Sequence, residues 1–285
     1  LIPKKNKETM NKDDKPDIYG QVHPHETPEL IQQKLVELES ELDKLPDKQK
    51  ISLAIAKTKC PDQLTDPFKL QFLRTDCFRS KDAAKRFAKY WEVRREICEN
   101  DELAFGPLKL DRLPKQDDAA LKMALCQIVP GVKDPAGRSI IFMDSSRQDH
   151  SIITVKSQAR VAAYTVMAAL EDESTQQKGI VVIFWPFRET WDQPNREFIS
   201  LMGSALKGAM PVRLSASHIC QPPAFFRMII PFAKLVMGER LRKRIRFHTG
   251  SNEKVQASLA PFGLTKDKLP SELGGDIVLD QEAWL

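Results

Sequence analysis

Histidine and acidic side chains are the first candidates for chemistry in this 285-residue sequence. The five histidines do not gather at a spacing typical of a metal or catalytic site, and we expect His218 and His248 to lie in strands with satisfied hydrogen bonds. The acidic run Glu171-Asp172-Glu173 is typical of a solvated helix end rather than of a paired-carboxylate site. These residues indicate no catalysis, no metal ion and no cofactor, so we predict that the protein is not an enzyme.

Phosphate-binding loops and nucleophile elbows are missing from the sequence. It contains neither GxxxxGK[ST] nor GxGxxG, the two loops that commonly cradle phosphates in α/β proteins. It also contains no GxSxG elbow. Nucleotide chemistry and serine hydrolysis are therefore disfavoured.

An apolar helix is predicted over residues 222–237, within the stretch QPPAFFRMIIPFAKLVM. It is apolar almost all round, so it packs between protein layers or meets a lipid on one face. Pro231 removes one backbone hydrogen bond and bends the helix, which makes it suitable as a moving lid.

A cationic cluster follows this helix directly. Five of the seven residues over 240–246 are basic, and Arg240 and Arg244 are four positions apart, so on one helix they would project together. Guanidinium groups match phosphate oxygens and attract anionic membranes. An apolar lid beside such a cluster favours a phospholipid partner, and the alternative is a solvated basic helix face.

Composition and charge restrict the class of protein. Apolar residues make up 41% and charged residues 29%, which is typical of a globular protein, and the net charge of +5 is too weak to indicate nucleic-acid binding. The five cysteines are widely spaced and form no CxxC pair, which favours a reducing compartment. No apolar run reaches the roughly 18 residues that a membrane-spanning helix requires.

The elements that must position these residues fall into consecutive groups. Residues 1–27 mix charged and polar residues without periodicity and predict a flexible tail. Helical spacing and caps predict an all-helical domain over 28–115. Apolar strands alternating with helices over 116–280 are typical of a mostly parallel sheet covered by helices. We therefore predict an α/β protein with an N-terminal helical domain.

Motifs over about residues 50–280 occur in the order of one known family. LQFLRTDCFRSKDAAKRFAKYWEVRRE is similar to its N-terminal helical segment, DPAGRSIIFMD to its hairpin and strand, and GIVVIF to its next core strand. MPVRLSASHICQPPAFFRMIIPF is similar to its turn, strand and gate helix, and LPSELGG to its closing motif. The chain thus resembles the CRAL-TRIO (Sec14-like) lipid-binding and lipid-transfer family, nearer the tocopherol- and retinal-carrier branch than the yeast phosphatidylinositol-transfer branch.

This resemblance implies a CRAL-TRIO-N-like helical domain and a hydrophobic pocket closed by a gate helix, with Pro231 as its hinge. The pocket would hold one lipid, a phospholipid or a tocopherol- or retinoid-like molecule, without covalent chemistry. Matching positions place phosphoinositide-contacting basic residues at Arg213, Arg240 and Arg244. From the expected strand and helix faces, the lining of the pocket is predicted to comprise Phe142, Ile183, Met202, Leu206, Ser217, Ile219, Phe225, Ile229, Phe232 and Val236.

The sequence departs from the family pattern at two places. After the core strand the family usually continues with D-x-x-G, whereas here Trp185-Pro186-Phe187-Arg188 follows. Where the yeast branch carries a Glu that contacts inositol, this sequence has Val212. The second departure disfavours transfer of inositol lipids specifically.

The predicted function is binding and intermembrane transfer of a hydrophobic lipid by a cytoplasmic monomer that associates transiently with anionic, phosphoinositide-containing membranes. Nucleic acid is not an expected partner, because no aromatic residue alternates with the basic ones. The alternative is a non-transferring scaffold of the same fold that binds a protein partner or a membrane surface. That alternative would be favoured if Trp185, Phe187, Trp191 and Phe198 filled the cavity.

Overall fold

The structure is a computed structural model that describes residues 16–285, apart from the side chains of Lys234, Met237 and Arg240. The described chain forms a group of helices followed by a five-stranded, mostly parallel sheet packed with further helices. The fold class predicted from the sequence is confirmed.

The N-terminal helices pack around one central helix, α4 (Ser80–Ile97), whose aromatic side chains Phe87 and Trp91 are fully buried. Phe72 meets Phe87 edge-on with 4.9 Å between ring centroids, an arrangement that aromatic pairs prefer. The Thr27 hydroxyl oxygen accepts a hydrogen bond from the Leu30 amide at 3.2 Å and fixes where the first helix begins. The five helices are α1 (Pro28–Asp43), α2 (Asp47–Lys59), α3 (Asp66–Thr75), α4 (Ser80–Ile97) and α5 (Asp101–Phe105).

The sheet has the strand order β1-β2-β3-β4-β5, with β1 antiparallel to β2 and the other neighbours parallel. Its strands are β1 (Cys126–Lys133), β2 (Ser139–Met143), β3 (Ile180–Phe184), β4 (Leu214–Cys220) and β5 (Ile245–His248). The helices that accompany it are α6 (Lys115–Lys122), α7 (Val155–Ala169), α8 (Glu173–Lys178), α9 (Arg196–Gly208), α10 (Phe226–Arg242), α11 (Asn252–Leu259) and α12 (Gln281–Trp284).

The two faces of the sheet have different roles. One face is a solid core in which Phe142 and Ile183 pack in one cluster with Val255, Leu259 and other residues from α11 and the chain that follows it. Because side chains alternate along a strand, the neighbouring positions of β2 and β3 point to the opposite face. That opposite face is covered by α7, α9 and α10 and encloses a cavity.

An irregularity at the start of β4 adjusts which side chains reach the cavity. The pairing of β3 with β4 shifts between Ile180 and Val181, so Leu214 pairs with Ile180 but Ala216 pairs with Val181. A bulge of this kind inserts one extra residue and reverses the alternation beyond it. Leu214 and Ser217, an odd number of positions apart, therefore both line the cavity.

The buried Arg86 connects the N-terminal helices to the rest of the chain. Arg86 on α4 donates to the carboxylate of Asp76 at 2.7 Å and to the carbonyl oxygens of Lys207 (3.1 Å) and Met210 (3.2 Å) around the end of α9. Carbonyl groups at a helix end lack partners within the helix, and a cation there is favourable. Arg86 therefore holds α9, one wall of the cavity, against α4.

Part of the predicted tail is anchored to the sheet. The prediction covered residues 1–27, of which 1–15 lie outside the described residues. In the described part, Asp17 forms an ion pair with the fully buried Arg138. Tyr19 stacks on Phe262 at 5.6 Å between centroids, and its hydroxyl oxygen lies 3.1 Å from Nε2 of His218. Composition alone could not reveal this, because these few residues are held by side chains that lie far away in sequence.

Candidate functional site

A cavity of about 250 Å³ lies between the sheet and the helices α7, α9 and α10. Most of its lining is aliphatic or aromatic. The sheet contributes Ile141, Met143, Val182, Phe184, Ile219 and Phe247, and the helices contribute Val161, Val166, Phe198, Met202, Phe226, Ile229 and Ile230 among others. A concave apolar site of this kind can hold a hydrophobic molecule away from water.

Half of the residues predicted to line a pocket meet in the wall of this cavity. They are Met202 and Leu206 on α9, Ser217 and Ile219 on β4, and Ile229 on α10. They come from three elements that the fold brings together on one face of the sheet.

Phe142 and Ile183 lie elsewhere, on the opposite face of the sheet in the solid core. The adjacent residues Ile141 and Val182 line the cavity instead. Both strands are apolar throughout because both faces of the sheet are covered, so hydropathy gave no signal for choosing one set over the other.

The remaining three predicted residues lie outside the lining. Phe225 caps the start of α10 and meets Trp191 edge-on at 5.3 Å between centroids, and Phe232 lies beneath the guanidinium of Arg196 at 5.7 Å. Val236 is half-buried on the same helix. The prediction selected the neighbouring stripe of the helix, since the stripe that faces the cavity comprises Phe226, Ile229, Ile230 and Ala233.

Helix α10 is interrupted at Gly238 rather than at Pro231. Gly238 has φ 72° and ψ 172°, a conformation essentially restricted to glycine, while Pro231 lies within the helical part. The observed helix also begins at Phe226 and ends at Arg242, later than the predicted span of 222–237.

A second cleft of about 250 Å³ adjoins the cavity and shares Leu206 and Leu214 with it. We call it the cationic cleft after the four basic residues in its wall, which are Arg86, Lys207, Arg213 and Arg244. Glu239 also lines it, and its carboxylate pairs with Lys243 at 2.7 Å. A hydrogen bond from Lys243 lowers the pKa of Glu239 below its ordinary value.

The cleft brings Arg213 and Arg244 together, as their predicted roles require. Arg213 is buried and donates to the carbonyl oxygens of Gln177 (2.6 Å) and Arg74 (3.2 Å), so its guanidinium is fixed in place. Arg244 donates to the carbonyl oxygen of Leu214. It lies beyond the end of α10, so the expectation that it projects from one helix together with Arg240 is wrong. The side chain of Arg240 lies outside the described residues.

Sequence reasoning missed Arg86 and Lys207. Arg86 lies on α4 and Lys207 at the end of α9, each far in sequence from the basic cluster over 240–246. Only the three-dimensional packing joins them to the cleft, and no local pattern in the sequence marks them.

The polar residues of the cavity lie mainly at the carboxyl edge of the parallel strands. The cavity includes Ser145, which follows β2, Glu189 and Asn195, which follow β3, and the pair Gln148 and Gln158. Ligands of open α/β sheets commonly bind at this edge. Gln158 donates to the side-chain oxygen of Gln148 at 2.9 Å.

Glu189 is a buried acid in this mostly apolar cavity, with only 6% of its surface exposed. The pKa of Glu189 is raised to about 7, mainly by burial and also by the nearby Asp144, while a hydrogen bond from the Ser145 hydroxyl opposes the shift. The carboxyl group is therefore largely protonated below pH 7 and loses its proton as the pH rises through neutrality. Sequence reasoning missed it, although the departure at residues 185–188 marked this loop.

The chain matches the CRAL/TRIO domain over residues 122–275, which is more than half of its length. The chain belongs to the CRAL/TRIO family. This family is one of lipid-binding and lipid-transfer proteins, and the match covers the whole sheet and the cavity.

Among CRAL/TRIO relatives, Clavesin-2 from Rattus norvegicus is 28% identical over 220 residues, covering 74% of this chain and 62% of the relative. Alpha-tocopherol transfer protein-like from Pongo abelii is 24% identical over 235 residues, covering 78% of this chain and 62% of the relative. This chain therefore spans less than two thirds of the length of these relatives.

A Rattus norvegicus relative named tyrosine-protein phosphatase non-receptor type 9 is 27% identical over 154 residues, covering 54% of this chain but only 25% of that protein. Its similarity therefore concerns one part of a larger protein. Among solved structures, the crystal structure of Sfh5 superposes with a TM-score of 0.52 at 12% identity, covering 82% of this chain and 88% of that one. That likeness shows a shared fold.

The outer surface of α10 in this CRAL/TRIO chain carries exposed apolar side chains. Met228 is 66% exposed and Leu235 is 78% exposed, seven positions apart on one stripe of the helix, and the 59% exposed Trp191 lies against Phe225 at its start. We call Trp191, Met228 and Leu235 the outer apolar patch. Across the described residues, no helix is long and apolar enough to cross a bilayer.

Proposed function

We propose that the chain binds one hydrophobic lipid in the cavity and transfers it between membranes, docking through the cationic cleft on anionic lipid. The observation that carries the proposal is the adjacency of an apolar cavity and a cationic cleft, which share Leu206 and Leu214. Membership of the CRAL/TRIO family supports it independently.

The size of the cavity bears on how a lipid would enter. About 250 Å³ is near the lower end of small-molecule pockets, which span roughly 300–1,000 Å³. A long acyl or isoprenoid chain therefore requires α10 to move outward. Each buried CH₂ group contributes about 0.8 kcal/mol relative to water, which allows the protein to compete with a bilayer for the lipid.

The cationic cleft supplies the proposed membrane contact. Guanidinium groups bind phosphate oxygens in a fixed geometry, and a basic residue near an anionic surface contributes roughly 1 kcal/mol to binding. Arg213 is already held by two carbonyl oxygens, so little side-chain freedom is lost when a phosphate binds. Arg240 stays a predicted member of this contact, and Pro231 a predicted hinge.

The scaffold alternative is not favoured by the positions of the aromatic residues that could have filled the cavity. Trp185 packs near Phe142, with 6.2 Å between centroids, on the face of the sheet away from the cavity. Phe187 and Trp191 are exposed, and Phe198 forms part of the cavity wall. The cavity stays open beside them.

Vesicle binding tests the docking half of the proposal. Phosphatidylcholine vesicles with and without phosphatidylinositol bisphosphate would be sedimented with the native chain and with the variant Lys207→Ala/Arg244→Ala. We expect the variant to lose most of the extra binding to the phosphoinositide vesicles. Added salt should weaken the binding of the native protein to these vesicles in the same way. Removing two exposed lysines of α2, in Lys48→Ala/Lys57→Ala, provides a charge-matched control that should bind like the native chain.

Lipid loading tests the other half. Native mass spectrometry of the protein purified from cells is expected to show one bound lipid per chain, and labelled lipid should pass from donor to acceptor vesicles. If the chain neither retains nor transfers any lipid, the proposal fails even when vesicle binding is observed.

A further inference from the structure

We propose that the cavity selects an uncharged lipid whose polar end carries a hydroxyl or carbonyl oxygen, and that Glu189 donates a hydrogen bond to that oxygen. The inference rests on the proposed lipid binding and specifies the class of ligand. It arises from the loop after β3, where this sequence departs from the family pattern.

The geometry of Glu189 supports this role. Oε2 of its carboxyl group accepts a hydrogen bond from the Ser145 hydroxyl, and among the described residues Oε1 has no hydrogen-bond partner. Oε1 is nevertheless not sealed in the protein interior, since the side chain lines the cavity. A polar atom that faces an apolar cavity without a protein partner is poorly solvated, and a ligand that supplies a hydrogen-bond partner there gains free energy.

Gln158 provides a second polar contact at the cavity wall. Its side-chain nitrogen donates to Gln148, and within the described chain its side-chain oxygen accepts no hydrogen bond. A hydroxyl group on the ligand could accept from Glu189 and donate to Gln158, whereas a carbonyl would accept from Glu189. A carboxylate would bring a negative charge to two oxygen atoms and is disfavoured.

The charges that face Glu189 determine how its protonation responds to pH. Asp144 is the nearby acid, and its carboxylate is bonded to Arg147 at 2.9 Å. His150 lies in the loop after β2, with Nε2 2.9 Å from the carbonyl oxygen of Gln193. Since burial holds the pKa of Glu189 at about 7, its proton is present below that pH and is lost as the pH rises through it.

The test uses three probes with equal tails, namely octadecane, 2-octadecanone and octadecanoate, each presented in phosphatidylcholine vesicles. Native mass spectrometry would measure how much of each probe the full chain retains. We expect the native protein to prefer the ketone to the other two probes, and its ketone binding to weaken by up to about tenfold as the pH rises by one unit above the pKa of Glu189.

Substitutions test whether Glu189 is the residue that donates the hydrogen bond to the ketone. Glu189→Leu should abolish the preference for the ketone over the hydrocarbon, whereas Glu189→Gln keeps a donor and should retain it at every pH. Ser145→Ala should move the pH midpoint of ketone binding upward, because the Ser145 hydroxyl favours the ionised form of Glu189. A merely structural role would not shift that midpoint. Glu197→Gln, at an exposed carboxylate on α9, is the matched control.

Two results would overturn the inference and leave lipid binding intact. One is an unchanged ketone-to-hydrocarbon ratio in Glu189→Leu with normal total loading, and the other is a native preference for octadecanoate. Retention of none of the probes, together with absent transfer of any membrane lipid, would instead contradict the proposed function itself.

Discussion

Glu189 and His218 are buried groups whose proton affinities are shifted by the same cause and whose effects on stability have opposite signs. Burial, together with the charges of His248 and Arg246, lowers the pKa of His218 from 6.5 to about 3. Burial raises the pKa of Glu189 from 4.5 to about 7. Both groups are therefore uncharged in the folded protein over much of the range between pH 4.5 and 6.5.

The two groups should oppose each other when stability is measured against pH. Neutral His218 contributes stability above pH 6.5 that is lost as the pH falls toward about 3, because the unfolded state binds its proton more readily. Neutral Glu189 contributes stability below pH 4.5 that is lost as the pH rises through about 7. Between pH 4.5 and 6.5 their contributions have opposite slopes and partly cancel.

We expect Glu189→Gln to remove the contribution of Glu189 to the pH dependence of stability and to leave that of His218. Its free energy of unfolding should rise with pH between 4.5 and 6.5 more steeply than that of the native chain, by on the order of 1 kcal/mol per pH unit. Urea unfolding at several pH values measures the slope. The double variant Glu189→Gln/His218→Asn should lose the added slope, and parallel curves for the native chain and Glu189→Gln would contradict the explanation.

The sequence indicated which residues would lie together where a local pattern marked them, while their contact with phosphate stays a prediction. The family motif indicated Arg213 and Arg244, and the structure brings both to one cleft. The position of Lys207 in the cationic cleft could not be predicted, because only the packing of α9 brings it to the cleft. The choice between Phe142 and Ile141 also failed, since a strand buried on both faces carries no alternation of polar and apolar residues.

Among the elements, α10 has the most direct bearing on entry to the cavity. Its stretch up to Gly238 lines the cavity with one stripe and carries the outer apolar patch on another. Beyond Gly238 a single helical turn leads to Arg244 and β5. The interruption therefore lies between the part that would move with a lipid and the part that is fastened to the sheet.

Gly238→Ala tests this interruption. The backbone of Gly238 is nearly inaccessible to residues with a Cβ atom, so alanine should cost about 1 to 3 kcal/mol or force the helix to continue. We expect a lower urea midpoint and altered lipid transfer. Gly208→Ala is the control, because a Cβ atom there meets open space and the backbone has no positive φ.

Pro231→Ala separates the predicted hinge from the observed interruption. It restores one backbone donor within the helix and leaves Gly238 unchanged. If Gly238 is the point of movement, Pro231→Ala should change lipid transfer less than Gly238→Ala does. The opposite order would restore Pro231 as the hinge.

Element boundaries were mostly predictable because caps and periodicity marked them. The Thr27-Pro28 signal marked the start of α1, and the apolar run over 180–184 marked β3. The interruption of α10 was not predicted, because a single glycine in an apolar helix is compatible with an unbroken helix and only the fold requires its unusual backbone.

At the scale of the whole molecule, the outer apolar patch and the cationic cleft would provide two different contacts with a membrane. One is apolar and insensitive to salt, whereas the other is electrostatic and weakened by salt. The anchored segment that carries Asp17 and Tyr19 lies near β5, since the Arg246 guanidinium on that strand is 5.1 Å from the centroid of the Tyr19 ring. Composition predicted a flexible tail over residues 1–27 and could not indicate such contacts, because the partners lie far away in sequence.

We expect Met228→Ser/Leu235→Ser to reduce binding to uncharged phosphatidylcholine vesicles severalfold at high salt, because two exposed apolar side chains are lost from the patch. Sedimentation with vesicles measures the effect. Val36→Ser/Ile51→Ser removes similarly exposed residues from the N-terminal helices and should leave binding unchanged. Equal losses in both variants would show that the patch has no special role.

If the cavity holds a lipid and the cationic cleft holds an anionic headgroup, as proposed, the two leucines that line both would provide a physical contact through which the two ligands are thermodynamically linked. If a bound headgroup changes the affinity of the chain for the lipid in the cavity by some factor, the lipid must change the affinity for that headgroup by the same factor. Under such coupling, a loaded chain and an empty chain would differ in how long they stay at a membrane. Direction of transport could then follow from the lipid composition of each membrane, without any input of energy from a nucleotide.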